Sequence, residues 1–289
     1  MLKTILHHFK APLFLSMLSL VVMTQSCKKT DLQQEQEESV SSQRIEELRS
    51  SVASSTGAPL SEVQYDAAKK SFVVAKDAMI SLEDAQGRFP ESANVRPGSN
   101  GSQQRVYTYT VARTNASNIS FYADASVPAE WLTALDQAIA NWNSTNSLIS
   151  MKRVTGTTTT TTSGPKKGKK PGTTTTTTST PSYNVLVTTM YDNATSTVAQ
   201  AYYPSYSGGA GFQVTINTYY NYLSSSYKTF AVTHELGHTI GLTHTDQTYG
   251  NLIPGTPTTD PNSVMNSFVL PWAGFTNYDV VAVNTVYPK

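Results

Sequence analysis

His234-Glu235-Leu236-Gly237-His238-Thr239-Ile240-Gly241-Leu242-Thr243-His244 is the stretch on which the reading of this chain turns. The chain has five histidines, and three of them lie here; the other two are His7 and His8. Residues four apart on a helix stand one above the other on the same face, so His234 and His238 can point at one ion. Glu235 is rotated by about 100° from His234, too far to join that pair but able to reach a water beside the metal. Gly241 marks where the helix must end, because glycine enters the left-handed conformation cheaply. The chain can then turn back and present His244 as a third ligand. Three nitrogen ligands and one open position are the donor set of a catalytic zinc site.

The rest of the chain narrows the chemistry. The one cysteine is Cys27, far from the motif, and no histidine is left to serve a serine. That removes the commonest covalent nucleophile schemes and leaves a metal-activated water with Glu235 as general base. The formal net charge is +1, and −1 without Lys3 and Lys10. Nothing in that balance suggests nucleic-acid binding. Charged residues make up only 14% of the chain, while hydroxyl and amide side chains are abundant, a composition suited to an exported surface.

The spacing H-E-x-x-H-x-x-G-x-x-H resembles that of the metzincin zinc endopeptidases. Its context is most similar to the bacterial "dual-action HEIGH" metallopeptidases: Thr245-Asp246 after the third histidine, Ile253-Pro254-Gly255-Thr256-Pro257 further on, then Ser263-Val264-Met265-Asn266-Ser267. Leu236 stands where that family has isoleucine. The resemblance covers roughly residues 106–289. It implies an α+β fold with a twisted mixed β-sheet, a zinc-binding active-site helix and a loop-rich C-terminal subdomain with a Met-turn. It implies His234, His238 and His244 as ligands of one catalytic zinc, Glu235 as general base and Met265 as the floor beneath the metal. Some relatives add a tyrosine ligand two residues after the methionine. Ser267 stands there, so none is expected, and Tyr278 is a distant substitute. The strand Ala199-Gln200-Ala201-Tyr202-Tyr203 falls where related enzymes pair an edge strand with extended substrate. Residues 268–271 fall where they form a wall of the primed-side pocket.

Asp246 stays open: a plain turn-former, a carboxylate orienting a ligand imidazole, a calcium ligand or an alternative third ligand. Calcium is therefore possible as a second cation. Astacin-type relatives are held latent by an aspartate on the zinc. Asp77 is the one candidate for that role here, although by itself it reads first as an ordinary turn aspartate.

Residues 1–26 read as an export signal, with Lys3 and Lys10 before an apolar run too short to span a membrane comfortably. Cys27 follows directly and resembles the lipid-attachment cysteine of bacterial lipoproteins; Thr24 departs from the usual box. The expected location is an outer-membrane or cell-surface lipoprotein, otherwise a secreted protein. The membrane is expected as a partner only through that lipid, and substrates are proteins or peptides. The expected organisation is a spacer over residues 27–56 and a small prosegment-like unit with its linker over 57–105. The catalytic domain follows over 106–289, interrupted by a disordered Thr/Lys-rich loop at 155–181. Helices are expected near residues 44–48, 128–143, 227–243 and 277–286, and strands near 106–111, 118–122, 148–154, 183–190, 198–203 and 212–217. The main alternative function is a surface-anchored binding protein or adhesin with a non-catalytic metal site. A zinc hydrolase of non-peptide bonds is a third.

Overall fold

The computed structural model describes residues 40–90, 104–162, 174–248, 250–257 and 259–289. The expected export signal and Cys27 lie outside the described residues. In chain order the N-terminal elements are α1 (Ser42–Thr56), β1 (Val63–Asp66), β2 (Ser71–Val74), β3 (Ala78–Ser81) and α2 (Leu82–Arg88). Then come β4 (Arg105–Val106), α3 (Arg113–Ala116), β5 (Ile119–Ala123), α4 (Ala129–Asn143), β6 (Met151–Val154), β7 (Thr157–Thr162) and β8 (Thr174–Ser179). The chain ends with β9 (Val185–Met190), β10 (Ala199–Tyr202), β11 (Gln213–Asn217), α5 (Ser225–Thr239), β12 (Leu242–Thr243), β13 (Asn251–Leu252) and α6 (Asn277–Val286).

Eight strands form one mixed sheet in the order β1-β2-β3-β10-β11-β9-β5-β6. The expected α+β architecture with a mixed sheet is therefore present. One core lies where α4 and α5 pack together against the sheet. Trp131, Leu135 and Trp142 of α4 meet Leu236 of α5 and Phe121, Val187, Val214 and Ile216 of the strands. Trp131, Leu132, Leu135, Ile139 and Trp142 recur at helical spacing, and α4 buries all of them but Leu132, which is half-buried against the same core. Residues 228–239 of α5 are buried all round, because the helix runs through the interior.

Of the small unit and linker expected over residues 57–105, residues 91–103 lie outside the described residues, and residues 63–81 join the main sheet. Their strands β1, β2 and β3 extend the main sheet as an antiparallel meander, and β3 then pairs in parallel with β10. A second core binds this region to the rest. Leu48 and Val52 of α1 pack with Val63, Phe72, Val74 and Ile80, and with Tyr107 and Tyr203 from beyond the linker. Truncating a fully buried phenylalanine such as Phe72 typically costs about 3–5 kcal/mol. Of the spacer expected over 27–56, residues 27–39 lie outside the described residues, and the remainder packs as structure. Residues 42–56 are a fifteen-residue helix with Ser41 as its N-cap and Gly57 in the left-handed conformation just past its end. The Arg88 side chain is fully buried, pairs with Asp84 within the same helix, and ties α2 to Tyr107 and to the Pro204 carbonyl.

Two further expectations change. Residues 155–181 are not a structureless loop throughout, because β7 and β8 pair in register from Thr157↔Ser179 to Thr162↔Thr174. Threonine is β-branched, and a threonine run can satisfy its backbone in a hairpin without burying apolar surface. Residues 163–173 lie outside the described residues. The strand expected over 106–111 is only the two residues of β4, which pairs with both β12 and β13 in a small separate sheet.

Candidate metal centre and its cleft

Helix α5 carries His234, Glu235 and His238, and it stops at Thr239, earlier than the 243 expected. Ile240 N–H donates to Gly237 O and Gly241 N–H to His238 O. Gly241 has φ +96°, and a Cβ there would stand 3.1 Å from the Tyr109 carbonyl oxygen. The chain reverses at this glycine, and β12 leads straight into His244 beside the helix it left.

All three rings are buried. His244 Nε2 lies 3.2 Å from His238 Nε2 and 3.2 Å from His234 Nε2. The opposite nitrogen of each ring is held by an acceptor. His234 Nδ1 donates to the Val264 carbonyl at 2.8 Å, His238 Nδ1 to the Leu242 carbonyl at 2.8 Å, and His244 Nδ1 to Gln247 Oε1 at 3.2 Å. A carbonyl oxygen can only accept, so Nδ1 carries the hydrogen, and in the neutral rings the Nε2 lone pairs face one another. Such a convergence repels unless a cation sits between the rings. Two nitrogens about 2.05 Å from one tetrahedral ion stand roughly 3.3 Å apart, so the spacing fits zinc.

The fourth corner is taken by Asp77. Its Oδ1 is 3.2 Å from His244 Nε2 and 3.7 Å from His238 Nε2, and its Oδ2 is 3.8 Å from His234 Nε2. The four residues form a compact group able to hold a metal ion. Asp77 Oδ1 and Glu235 Oε2 are buried with no hydrogen-bond partner, and orphaned carboxylate oxygens at one spot are what a cation would satisfy. Burial drives the Glu235 carboxyl well above the usual range, and the Asp77 carboxylate adds to the shift. Burial alone would raise Asp77 as well, but the His244 and His238 rings hold it far below its ordinary value. Burial and the neighbouring imidazoles pull the His234 pKa down to about 3.

Asp77 reaches the site from the three-residue turn between β2 and β3, since Val74 pairs with Ala78. Strand β3 then lies along β10, pairing Ala78 with Ala201 and Met79 with Tyr202. The expected substrate edge, Ala199, Gln200, Ala201, Tyr202 and Tyr203, is therefore not an edge in this state. Its backbone is already bonded: Ala201 N–H donates to Asp77 O at 3.0 Å and Tyr203 N–H to Met79 O at 2.8 Å.

Met265 is buried beside α5. A Cβ on Gly237 would come within 2.4 Å of its Sδ, so Gly237 leaves room for the methionine. Asp246 adds its charge to the field at the His244 ring, and its hydrogen bonds go to Ser267. Its Oδ1 accepts from Ser267 N–H at 3.1 Å and its Oδ2 from Ser267 Oγ at 2.5 Å, pinning the loop after His244 to the loop after Met265. The partner of His244 is Gln247, which sequence reasoning missed. Tyr278 is 43% exposed at the start of α6. Beside Glu235 opens a cleft of about 260 Å³ lined by Val198, Phe230, Asn266, Phe268 and Val269, with Lys76 and Asp77 also on its wall. The segment expected to wall a pocket, residues 268–271, does so at Phe268 and Val269.

Three converging imidazoles, a buried carboxylate on the same helix and a cleft beside them define a metal-dependent hydrolase. The model of the dual-action HEIGH metallopeptidases matches residues 72–251, more than half of the chain, and the chain belongs to that family of zinc metallopeptidases. The match takes in β2 and β3, and so Asp77. No curated protein matches the chain. Among solved structures, myroilysin is 14% identical, with a TM-score of 0.38, over 61% of this chain and 85% of its own. High choriolytic enzyme 1, a hatching-enzyme zinc-protease of the medaka Oryzias latipes, is 14% identical, with a TM-score of 0.37, over 62% of this chain and 93% of its own.

Proposed function

We propose that the chain is an exported zinc endopeptidase synthesised in a latent form. His234, His238 and His244 hold one zinc ion, and Asp77 closes its fourth position until the hairpin that carries it is displaced. When bound there, zinc would supply Lewis acidity toward a peptide carbonyl and an attacking water. The buried Glu235, ionised, takes up a proton at its free Oε2 and returns it to the leaving amine. Met265 supports the ligand set from below. Displacing β3 would free β10 to pair with an extended substrate, whose side chain would enter the cleft beside Phe230 and Val269. Export and lipid attachment at Cys27 rest on the apolar N-terminal run and the lone cysteine that follows it.

The observation that carries this reading is the convergence of three Nε2 atoms whose opposite nitrogens are all held by acceptors. Elemental analysis of the folded protein should find one zinc per chain, lost in His244→Ala. The protein should cleave denatured casein in a chelator-sensitive way once the hairpin is displaced. A metal-free, folded wild-type chain would overturn the reading.

A further inference from the structure

Asp279 is the third residue of α6, and its ordinary duty there is plain. Thr276 N–H donates to its Oδ2 at 2.9 Å and Asp279 N–H donates to Thr276 Oγ1 at 3.1 Å, a capping box. Capping-box carboxylates normally face water. Asp279 is 2% exposed and takes further hydrogen bonds from outside the helix. Val264 N–H donates to its Oδ2 at 3.1 Å, and Ser263 Oγ and Gln104 Nε2 donate to its Oδ1 at 2.6 Å and 3.2 Å. No lysine or arginine pairs with it among the described residues, and the charged group facing it is another carboxylate, Asp260. Burying an unpaired carboxylate is costly, and a helix cap alone does not require it.

The bonds run in one direction. His234 Nδ1–H donates to the Val264 carbonyl at 2.8 Å. The N–H at the other end of that same peptide, on Met265, donates to Ser263 Oγ at 3.0 Å. Ser263 Oγ–H donates to Asp279 Oδ1. The dipoles of an imidazole, a peptide and a hydroxyl thus line up toward one buried negative charge. Hydrogen bonds in such a chain polarise one another. A polarised acceptor at Nδ1 fixes the ring's tautomer and makes its Nε2 a better electron donor, as a carboxylate bonded directly to a ligand histidine does.

We infer that Asp279 is a positioning residue for the metal centre, setting the orientation and donor strength of His234 through the Ser263 hydroxyl and the Val264–Met265 peptide. This rests on the proposed role of His234 as a ligand. His238 and His244 have no such relay among the bonds described: their acceptors are the Leu242 carbonyl and the Gln247 side chain. His234 is therefore the ligand whose donor strength this buried charge governs.

The test uses the intact chain and three substitutions. Asp279→Asn keeps an oxygen for the α6 cap but removes the charge. Ser263→Ala leaves Asp279 and the cap in place and cuts the relay. Thr276→Ala removes the cap hydroxyl and leaves the relay intact. Zinc affinity is read by competition with a chromogenic chelator, and the ligand field by the visible spectrum of the cobalt(II)-loaded protein. Asp279→Asn and Ser263→Ala should each weaken zinc about tenfold, the lower end for residues behind a metal ligand, and should shift the cobalt bands. Thr276→Ala should lower thermal stability with neither change. Equal zinc affinity and an unshifted spectrum in both relay variants would overturn the inference, as would equal losses in all three. Failure of the wild-type chain to bind zinc would overturn the ligand assignment itself, a different and separable result.

Discussion

The two halves of the candidate centre are built differently. The histidine side comes from eleven consecutive residues on one buried helix and the turn after it, and each ring is anchored at Nδ1. The Asp77 side comes from a distant hairpin whose turn places Ala75 at φ +51° and Lys76 at φ +83°. Neither is glycine, and an L-residue in the left-handed region costs of order 1–2 kcal/mol. Asp77 Oδ1 has no hydrogen-bond donor, so only the site itself satisfies it. One side is stabilised whether or not the other is present; the other is held by strand pairing and by its charge. On the reading proposed here, that is the difference between a site and its removable cover.

The largest expected effect tests the histidine side. In an Asp77→Ala background, Glu235→Gln should retain zinc and lose peptide turnover by about 10²–10⁴-fold, the usual contribution of a general base. Turnover of a quenched fluorescent peptide beside zinc content measures both, and preserved turnover would remove Glu235 from the mechanism. Next comes the cover. Asp77→Ala in the intact chain should raise casein cleavage about tenfold or more, since each 1.4 kcal/mol lost from the closed state is a factor of ten. Unchanged activity would reduce Asp77 to a turn residue that happens to lie nearby. The smallest effect sharpens the contrast. Lys76→Gly should relieve backbone strain while adding chain entropy, for a net gain of about 0.5–1 kcal/mol in denaturant unfolding. A loss of stability would mean that the turn stores no strain.

Other contrasts follow from range. The apolar spacing of α4 is a local pattern, and the helices expected near 128–143 and 277–286 form as α4 and α6. Helix α1 extends well past the 44–48 stretch expected, because Leu48 and Val52 find their apolar partners on β1 and β2, beyond the reach of any helical period. From sequence, Asp246 is the one residue singled out as able to orient a ligand imidazole, and Gln247 is missed. The fold sends Asp246 to Ser267 and leaves the amide at the ring. No pattern read from the sequence singled out Asp279, and its burial against Ser263 depends on how the 263–265 turn packs.

The sequence alone determined the histidine cluster, the carboxylate beside it, the glycine that ends the helix and the family to which these belong. Each depends on residues within a few turns of one another, where helical geometry converts spacing directly into position. Only the tertiary structure decided that β3 covers β10, that Asp77 stands at the fourth corner, and that a charge on the last helix reaches His234. Those contacts join segments separated by as many as 167 residues, from Asp77 to His244, and their partners are chosen by sheet pairing and packing, which no local period encodes.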